Sequence, residues 1–376
     1  MKIGVDARLL SRPITGIGRY TLEMCRALSR RKNVKLYLYS PAPVREGALA
    51  DANVEKIRTG RWTNGVARQI WAETSLPLLA KKDAVDVFWG ATHRLPRCLP
   101  KSIARVVTIH DFVWKYAAET MRPFSRLLES YQVPIAMHNA DRIVVDSHAT
   151  LFAVQKEFSA YSKKVAVVPL GSTHCDSHIK PLSLQHLGLQ MDYFLFVGTL
   201  EPRKNLFRLL TAYSRLPTSL KNKAMLVIAG GKGWGDVNVA HTIASLGLDD
   251  YVCLLGYVDE HTLAALYANA KFLAMPSLYE GFGLPVVEAM SYGVPVLTSN
   301  NSSMPEVAGD AGLLVDPLDV ESIRTGLARL IVDSKYRGRL AAFAKDNARH
   351  FDWDLSAEKI THVFEEAIVA RMGLAS

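Results

Sequence analysis

The stretch KFLAMPSLYEGFGLPVVEAMS, residues 271–291, decides how the chain is read. Lys271–Met275 is a short apolar run of strand character. Leu284–Ser291 has helical character, with Pro285 placed in its first turn, where proline is tolerated. Between them Gly281-Phe282-Gly283 allows unusual backbone dihedrals and a close approach to a ligand. The stretch is therefore one β-loop-α unit whose helix start offers free amides and a positive dipole end to an anion. Two carboxylates flank it: Glu280 just before the glycines and Glu288 about one turn into the helix. A carboxylate does not bind phosphate, but it accepts the two hydroxyls of a ribose. A tight turn with two solvated glutamates is the plainer alternative.

The same unit recurs along the chain. In the second half Tyr193–Val197, Met225–Ala229, Val252–Leu255, Phe272–Met275, Val296–Ser299 and Leu313–Val315 read as strands. In the first half Lys2–Ala7, Val34–Ser40, Val85–Trp89, Arg105–His110, Arg142–Asp146 and Val165–Pro169 do. Several are apolar on both faces, as parallel strands covered by helices must be. Helical stretches intervene, such as Arg19–Arg31 with Tyr20, Met24 and Leu28 on one face, and Ser147 suits an N-cap. The pattern pauses over Gly171–Gln190 and resumes. Two such series predict an α/β protein of two doubly wound, Rossmann-like domains, residues 1–175 and 190–350, facing a central cleft. A length of 376 residues also suits two cores.

Composition narrows the function classes. No run of about 18 apolar residues occurs, so no membrane span is expected, and MKIGVDARLL reads as a first strand rather than a signal peptide. The four cysteines form no C-x-x-C pair, consistent with a reduced, cytoplasmic setting. His174-Cys175-Asp176-Ser177-His178 lacks a second ligand pair and is not expected to hold zinc. The net charge of +9 is uneven: residues 1–176 hold 27 Lys and Arg against 15 Asp and Glu, residues 177–376 hold 18 against 21. A basic half suggests an anionic partner surface, nucleic acid and acidic phospholipid both being candidates, with a solvated basic face as the plainer alternative.

Three further motifs carry chemistry. In FVGTLEPRKNLFRLL a strand ends at Val197, Gly198 follows, and Arg203 and Lys204 stand before a helix opening near Asn205. An arginine fork and a lysine point charge neutralise a diphosphate without a divalent metal. In ITGIGRYTLEM, Gly16-Ile17-Gly18 precedes a helix. Thr21 breaks the G-x-G-x-x-G fingerprint and no acid follows about 20 residues on, so a dehydrogenase is a poor reading. His110 and Asp111 end a buried strand, where residues face a cleft. Asp352-Trp353-Asp354 imitates a metal-binding D-x-D but sits between helices, where capping is its expected use.

With TGIGRY, the His-Asp pair, SHAT, PLG, GTLEPRKN, PSLYEGFGLPVVEAM and SSMPEVAGDAG in that order, nearly the whole chain resembles the family 4 glycosyltransferases of GT-B fold, bacterial O-antigen and surface-polysaccharide mannosyltransferases in particular. The resemblance implies a retaining, metal-independent transfer from a nucleoside-diphosphate sugar, with GDP-mannose or a GDP-deoxysugar favoured and UDP-hexoses open. It implies Arg203 and Lys204 on the diphosphate, Glu288 on the ribose, and Glu280 and His110 near the donor sugar. Gly16, Gly18, Gly198, Gly281, Phe282, Gly283 and Leu284 would lie around the donor, with Tyr257 and Val258 near its base. It also implies a last helix, about 352–376, crossing back onto the N-terminal domain. That basic domain would take the acceptor, a lipid-linked glycan, with Arg61, Trp62, Arg68 and Trp71 suited to peripheral contact with an anionic membrane, a core role for both tryptophans being the equal alternative. A phosphorylase, an epimerase or a nucleic-acid binder fits the combined motifs less well, and no nucleic acid is expected.

Overall fold

The computed structural model describes residues 1–12, 14, 16–62, 64–172, 184–187, 189, 191–235 and 238–373. The His174–His178 cluster lies outside them. The chain divides into two compact units: residues 1–111, 127–171 and 352–376 form the first, and 112–126 and 172–351 the second.

The first unit is built on a parallel sheet of strands β1 (Lys2–Asp6), β2 (Lys35–Ser40), β3 (Val54–Thr59), β4 (Val87–Gly90), β5 (Ala104–Ile109), β6 (Arg142–Val145) and β7 (Val165–Val167). Their order is β3-β2-β1-β4-β5-β6-β7. The central strands are buried almost throughout, which is why they read as continuous apolar runs. By contrast β3, VEKIRT, is an edge strand with most positions exposed. It has no apolar run, so sequence patterning passes over it.

The Gly16–Ser29 helix buries Tyr20, Met24 and Leu28 against the sheet. It starts three residues earlier than its apolar face suggests, so Gly16-Ile17-Gly18 forms its first turn rather than a preceding loop. The 21-residue Trp353–Gly373 helix completes the same core, with Trp353 beside Tyr20 at 6.2 Å and Phe364 beside Trp89 at 6.0 Å between ring centres. Each such ring contributes a large buried apolar area. Asp352 caps the helix by accepting from the amides of Asp354 and Leu355 at 2.8 and 3.0 Å. Gly171 of the PLG motif makes room for it: a Cβ there would lie 2.4 Å from Trp353. Ser356 donates to the carbonyl of Pro169 at 2.6 Å.

The second unit repeats the plan. Strands β8 (Tyr193–Val197), β9 (Met225–Ala229), β10 (Val252–Gly256), β11 (Leu273–Met275), β12 (Val296–Ser299) and β13 (Gly312–Val315) lie in the order β10-β9-β8-β11-β12-β13, all parallel. Phe194, Phe196, Leu209, Leu226, Ile228, Phe272 and Leu327 fill one face. Division by sequence placed residues 112–126 in the first domain, and the structure corrects this. The segment belongs to the second unit, where Tyr116 stacks on Tyr279 at 5.6 Å and Arg122 lies over the Trp234 ring.

In each sheet the strand order reverses once, between β1 and β4 and between β8 and β11. Loops leaving two strands on either side of such a switch diverge and open a crevice at the carboxyl ends.

Candidate active site

In the second unit the switch-point loops are the two motifs that carry the sequence argument. After β8 the backbone turns at Gly198, φ 149°, then forms a short turn over Pro202–Lys204 and passes through Asn205 in the left-handed region, φ 60°. Asn205 is buried and donates to the carbonyls of Pro276 and Pro317 at 2.8 and 2.7 Å, clamping this loop to those after β11 and β13. The amide of Leu278 donates to the carbonyl of Arg203 at 2.9 Å, so the two loops are also joined through backbone.

This clamp brings Arg203, Lys204 and Glu280 together. Lys204 Nζ donates to Glu280 Oε1 at 2.6 Å, and Arg203 Nη1 to Glu280 Oε2 and to the Tyr279 carbonyl at 2.9 Å. The second guanidinium nitrogen reaches Glu201 at 2.7 Å. Burial pushes the Glu280 carboxyl up, but the charges of Arg203 and Lys204 outweigh it and hold its pKa down to about 2. A buried lysine and a half-buried arginine thus share one buried carboxylate. Such a pair is costly to desolvate and strongly destabilised when one partner is removed.

Serines that the sequence reading did not single out fix the backbone that carries this carboxylate. Ser302 Oγ accepts from the Glu280 amide at 3.1 Å, while Ser303 Oγ donates to the carbonyls of Glu280 and Phe282 at 3.0 and 2.8 Å. Their only sequence signal is membership of SSMPEVAGDAG. Gly283 precedes the Leu284–Ser291 helix with φ 115°, a conformation that favours glycine. A helix start leaves its first amides without intrahelical acceptors. Gly281 sits beside it in the loop, whereas the Phe282 ring packs edge-on against Phe351 at 5.5 Å. Phe282 is thus a core residue rather than an open side chain of the loop. Glu288, on the same helix, accepts from the Tyr267 hydroxyl at 2.8 Å, which orients it. Tyr257, past the end of β10, is 70% exposed, with Val258 beside it half-buried.

Gly16, Gly18 and His110 lie in the first unit. Among the described residues, a Cβ at Gly16 would meet nothing and one at Gly18 would make only ordinary contacts, so packing does not demand either glycine. His110 is buried and not an open strand-end side chain: Nδ1 lies 2.6 Å from Asp146 and Nε2 3.0 Å from the Ala91 carbonyl. Burial opposes a charge on the ring, yet Asp146 outweighs it and raises the His110 pKa above the ordinary histidine value. The SHAT motif holds this corner, since Ser147 caps the His148–Glu157 helix and Thr150 donates to the His110 carbonyl at 3.3 Å. Trp71 is core, not an interfacial residue, because it is only 2% exposed, whereas Trp62 is exposed. No helix among the described residues is long and apolar enough to cross a membrane.

Two Rossmann-like units, one with two cations around a buried carboxylate and a helix start at its switch point, fit a nucleotide-dependent group-transfer architecture. Residues 14–172 match the model described as Glycosyltransferase Family 4, and residues 187–347 the model described as Glycosyl transferases group 1. O-antigen chain mannosyltransferase B of Escherichia coli is 31% identical over 375 residues, covering 94% of this chain and 97% of that one. Among solved structures, sucrose-phosphate synthase from Thermosynechococcus elongatus aligns over 100% of both chains with a TM-score of 0.76 at 20% identity. WaaG, a glycosyltransferase involved in lipopolysaccharide biosynthesis, aligns over 97% of this chain and 99% of its own with a TM-score of 0.75 at 17% identity. The chain belongs to the family 4 glycosyltransferases and has their GT-B fold.

Proposed function

We propose that this glycosyltransferase moves a hexose, mannose or a related deoxysugar, from a GDP-linked donor to a hydroxyl of a growing, lipid-linked surface polysaccharide, retaining the α configuration without a metal ion. The observation that carries the reading is the Arg203–Glu280–Lys204 cluster at the switch point. Likeness to an O-antigen mannosyltransferase along nearly the whole chain supports the choice of sugar and acceptor. The basic first half fits an enzyme that meets an anionic membrane from the cytoplasm.

In this reading the donor's diphosphate takes over the cations that Glu280 occupies in the free enzyme. Glu288 accepts the ribose hydroxyls. The bond between the anomeric carbon and the leaving phosphate oxygen breaks, its electron pair going to the diphosphate, where Arg203, Lys204 and the amides of Gly283 and Leu284 stabilise the charge. The acceptor oxygen bonds to that carbon on the face being vacated, and its proton passes to a phosphate oxygen. No side chain need act as covalent nucleophile.

A thermal-shift panel of GDP- and UDP-sugars tests the donor, because a ligand that binds the folded state raises the apparent Tm. GDP-mannose should give the largest shift; a larger shift from a UDP-hexose would reassign the base and sugar. Turnover should survive EDTA, and strict dependence on added Mn²⁺ or Mg²⁺ would remove the metal-free mechanism.

A further inference from the structure

The first unit has its own crevice at the switch between β1 and β4, and the residues lining it are not those of the donor cluster. The loop after β1 contributes Arg8 and Arg12. The loop after β4 contributes Thr92 and Arg94, and the Gly65–Glu73 helix contributes Arg68. Together they line a cavity of about 250 Å³. Gly90 makes the second loop possible: a Cβ there would lie 2.0 Å from the Arg94 carbonyl oxygen, so only glycine lets Ala91–Arg94 fold back onto the end of β4.

Four guanidiniums gather here against few carboxylates. Arg8 is paired with the buried Asp6 at 2.6 Å. Glu129 lies 3.8 Å from Arg94 and 3.2 Å from His93 Nδ1. His93 Nε2 accepts the His110 amide at 2.8 Å, so Nδ1 is the ring nitrogen that faces Glu129. Arg68 donates to the Arg8 carbonyl and to Ser11 at 2.9 and 2.7 Å, Arg94 to Gln69 at 3.4 Å, and none of these acceptors carries a charge. Glu73 acts on Arg8 only from a distance. The lining therefore holds about two positive charges beyond Asp6 and Glu129. Burial, then repulsion from Arg12 and Arg8, lowers the pKa of Arg68, and Arg94 is lowered by burial and by Arg8. Like charges so placed cost stability unless an anion joins them. A second observation points the same way. Thr92 lines the same cavity, and its hydroxyl is buried without a hydrogen-bond partner among the described residues, which is unusual for a group that is neither strained nor reserved for a ligand.

We propose that this cavity is a second oxyanion site, taking a phosphate or diphosphate group carried by the acceptor rather than by the nucleotide donor. Two surplus charges match a dianionic phosphoryl group, and arginine forks suit its oxygens. The volume is below the roughly 300–1,000 Å³ of sites that enclose a drug-sized molecule, so it takes one charged group of a larger substrate. Naming the acceptor as carrier rests on the function proposed above; the site itself rests on the cavity.

The test is calorimetric titration of pyrophosphate into the full chain, alone and saturated with GDP or UDP, whichever raises its Tm. One equivalent should still bind with nucleotide present. Arg12→Glu, at an exposed position, should weaken that equivalent roughly tenfold or more, about 1.4 kcal/mol, while nucleotide binding is unchanged. Thr92→Val should weaken it without altering charge. Complete competition by nucleotide would assign the oxyanion to the donor and overturn the proposal, as would indifference to both Arg12→Glu and Thr92→Val. Acetate binding as tightly as pyrophosphate would overturn the phosphoryl assignment. If neither nucleotide binds, the functional reading fails separately, and the effect of Arg12→Glu on pyrophosphate bound to the free chain still decides the cavity.

Discussion

The loops after β8 and β11 and the loops after β1 and β4 occupy equivalent places in two sheets of the same order, yet they manage positive charge in opposite ways. In the second unit Arg203 and Lys204 are closed by a carboxylate of their own chain, with Glu280 held in place by Ser302 and Ser303. In the first unit Arg8, Arg12, Arg68 and Arg94 exceed the nearby carboxylates and repel one another. An anion entering the second crevice must outcompete Glu280, which favours a ligand of high charge and rejects a weak one. An anion entering the first meets four arginines, of which only Arg8 and Arg94 have a carboxylate alongside. Equivalent topology thus fixes where a ligand is met, while the local balance of carboxylates fixes how strongly it must bind.

Several experiments break or sharpen this contrast. Lys204→Ala should have the largest effect, cutting turnover by roughly two to three orders of magnitude, as removal of one charge-stabilising donor commonly does. Turnover at the wild-type rate in that variant would sink the assignment of the cluster to the leaving group. Glu280→Gln should destabilise the fold by about 3 kcal/mol at pH 7, the linkage value of a carboxyl held at about 2 instead of 4.5. The sign follows from the depressed pKa: Glu280 contributes stability above pH 4.5 and loses it as pH falls toward 2, so the variant should lack that part of the acid transition. A denaturation series from pH 7 to pH 2 with parallel curves for the two proteins would contradict the pairing. Pyrophosphate should also raise the Tm of Glu280→Gln more than that of the wild type, since it supplies the missing negative charge.

Smaller effects are expected elsewhere. Gly283→Ala, at φ 115° with Met304 Cε 2.4 Å from the added methyl, should cost about 1–3 kcal/mol by chemical denaturation. In the first unit Glu129→Gln removes a negative charge from the arginine cavity and should tighten pyrophosphate binding a few-fold; weaker binding would show that His93 and Arg94 need the carboxylate more than the anion needs its absence.

Much of this architecture was legible from sequence because it is local. Each central strand is an apolar run, and the E-x(7)-E stretch shows a strand, glycines and a helix start in order. The Arg203–Lys204 pair and Glu280 could each be picked out, but not their union, which depends on Asn205 tying loops some 70 and 110 residues away. The His110–Asp146 pair is hidden for the same reason. The arginine cavity was illegible because Arg8, Arg12, Arg68 and Arg94 come from separate loops and a helix, and only sheet order brings them to one crevice. Polarity on both faces hid β3, and the buried Trp71 shows that arginine and tryptophan interleaved in sequence need not share a surface.

The Trp353–Gly373 helix has a consequence for the order of events during synthesis. Its Trp353, Ile360 and Phe364 belong to the interior built around Tyr20 and Trp89, although the whole of residues 172–351 is translated in between. The unit made first is therefore finished last, and the one made later has all its own strands before that helix leaves the ribosome. A chain ending at residue 351 and released from the ribosome should consequently resist protease in its second unit while residues 1–111 are still cut.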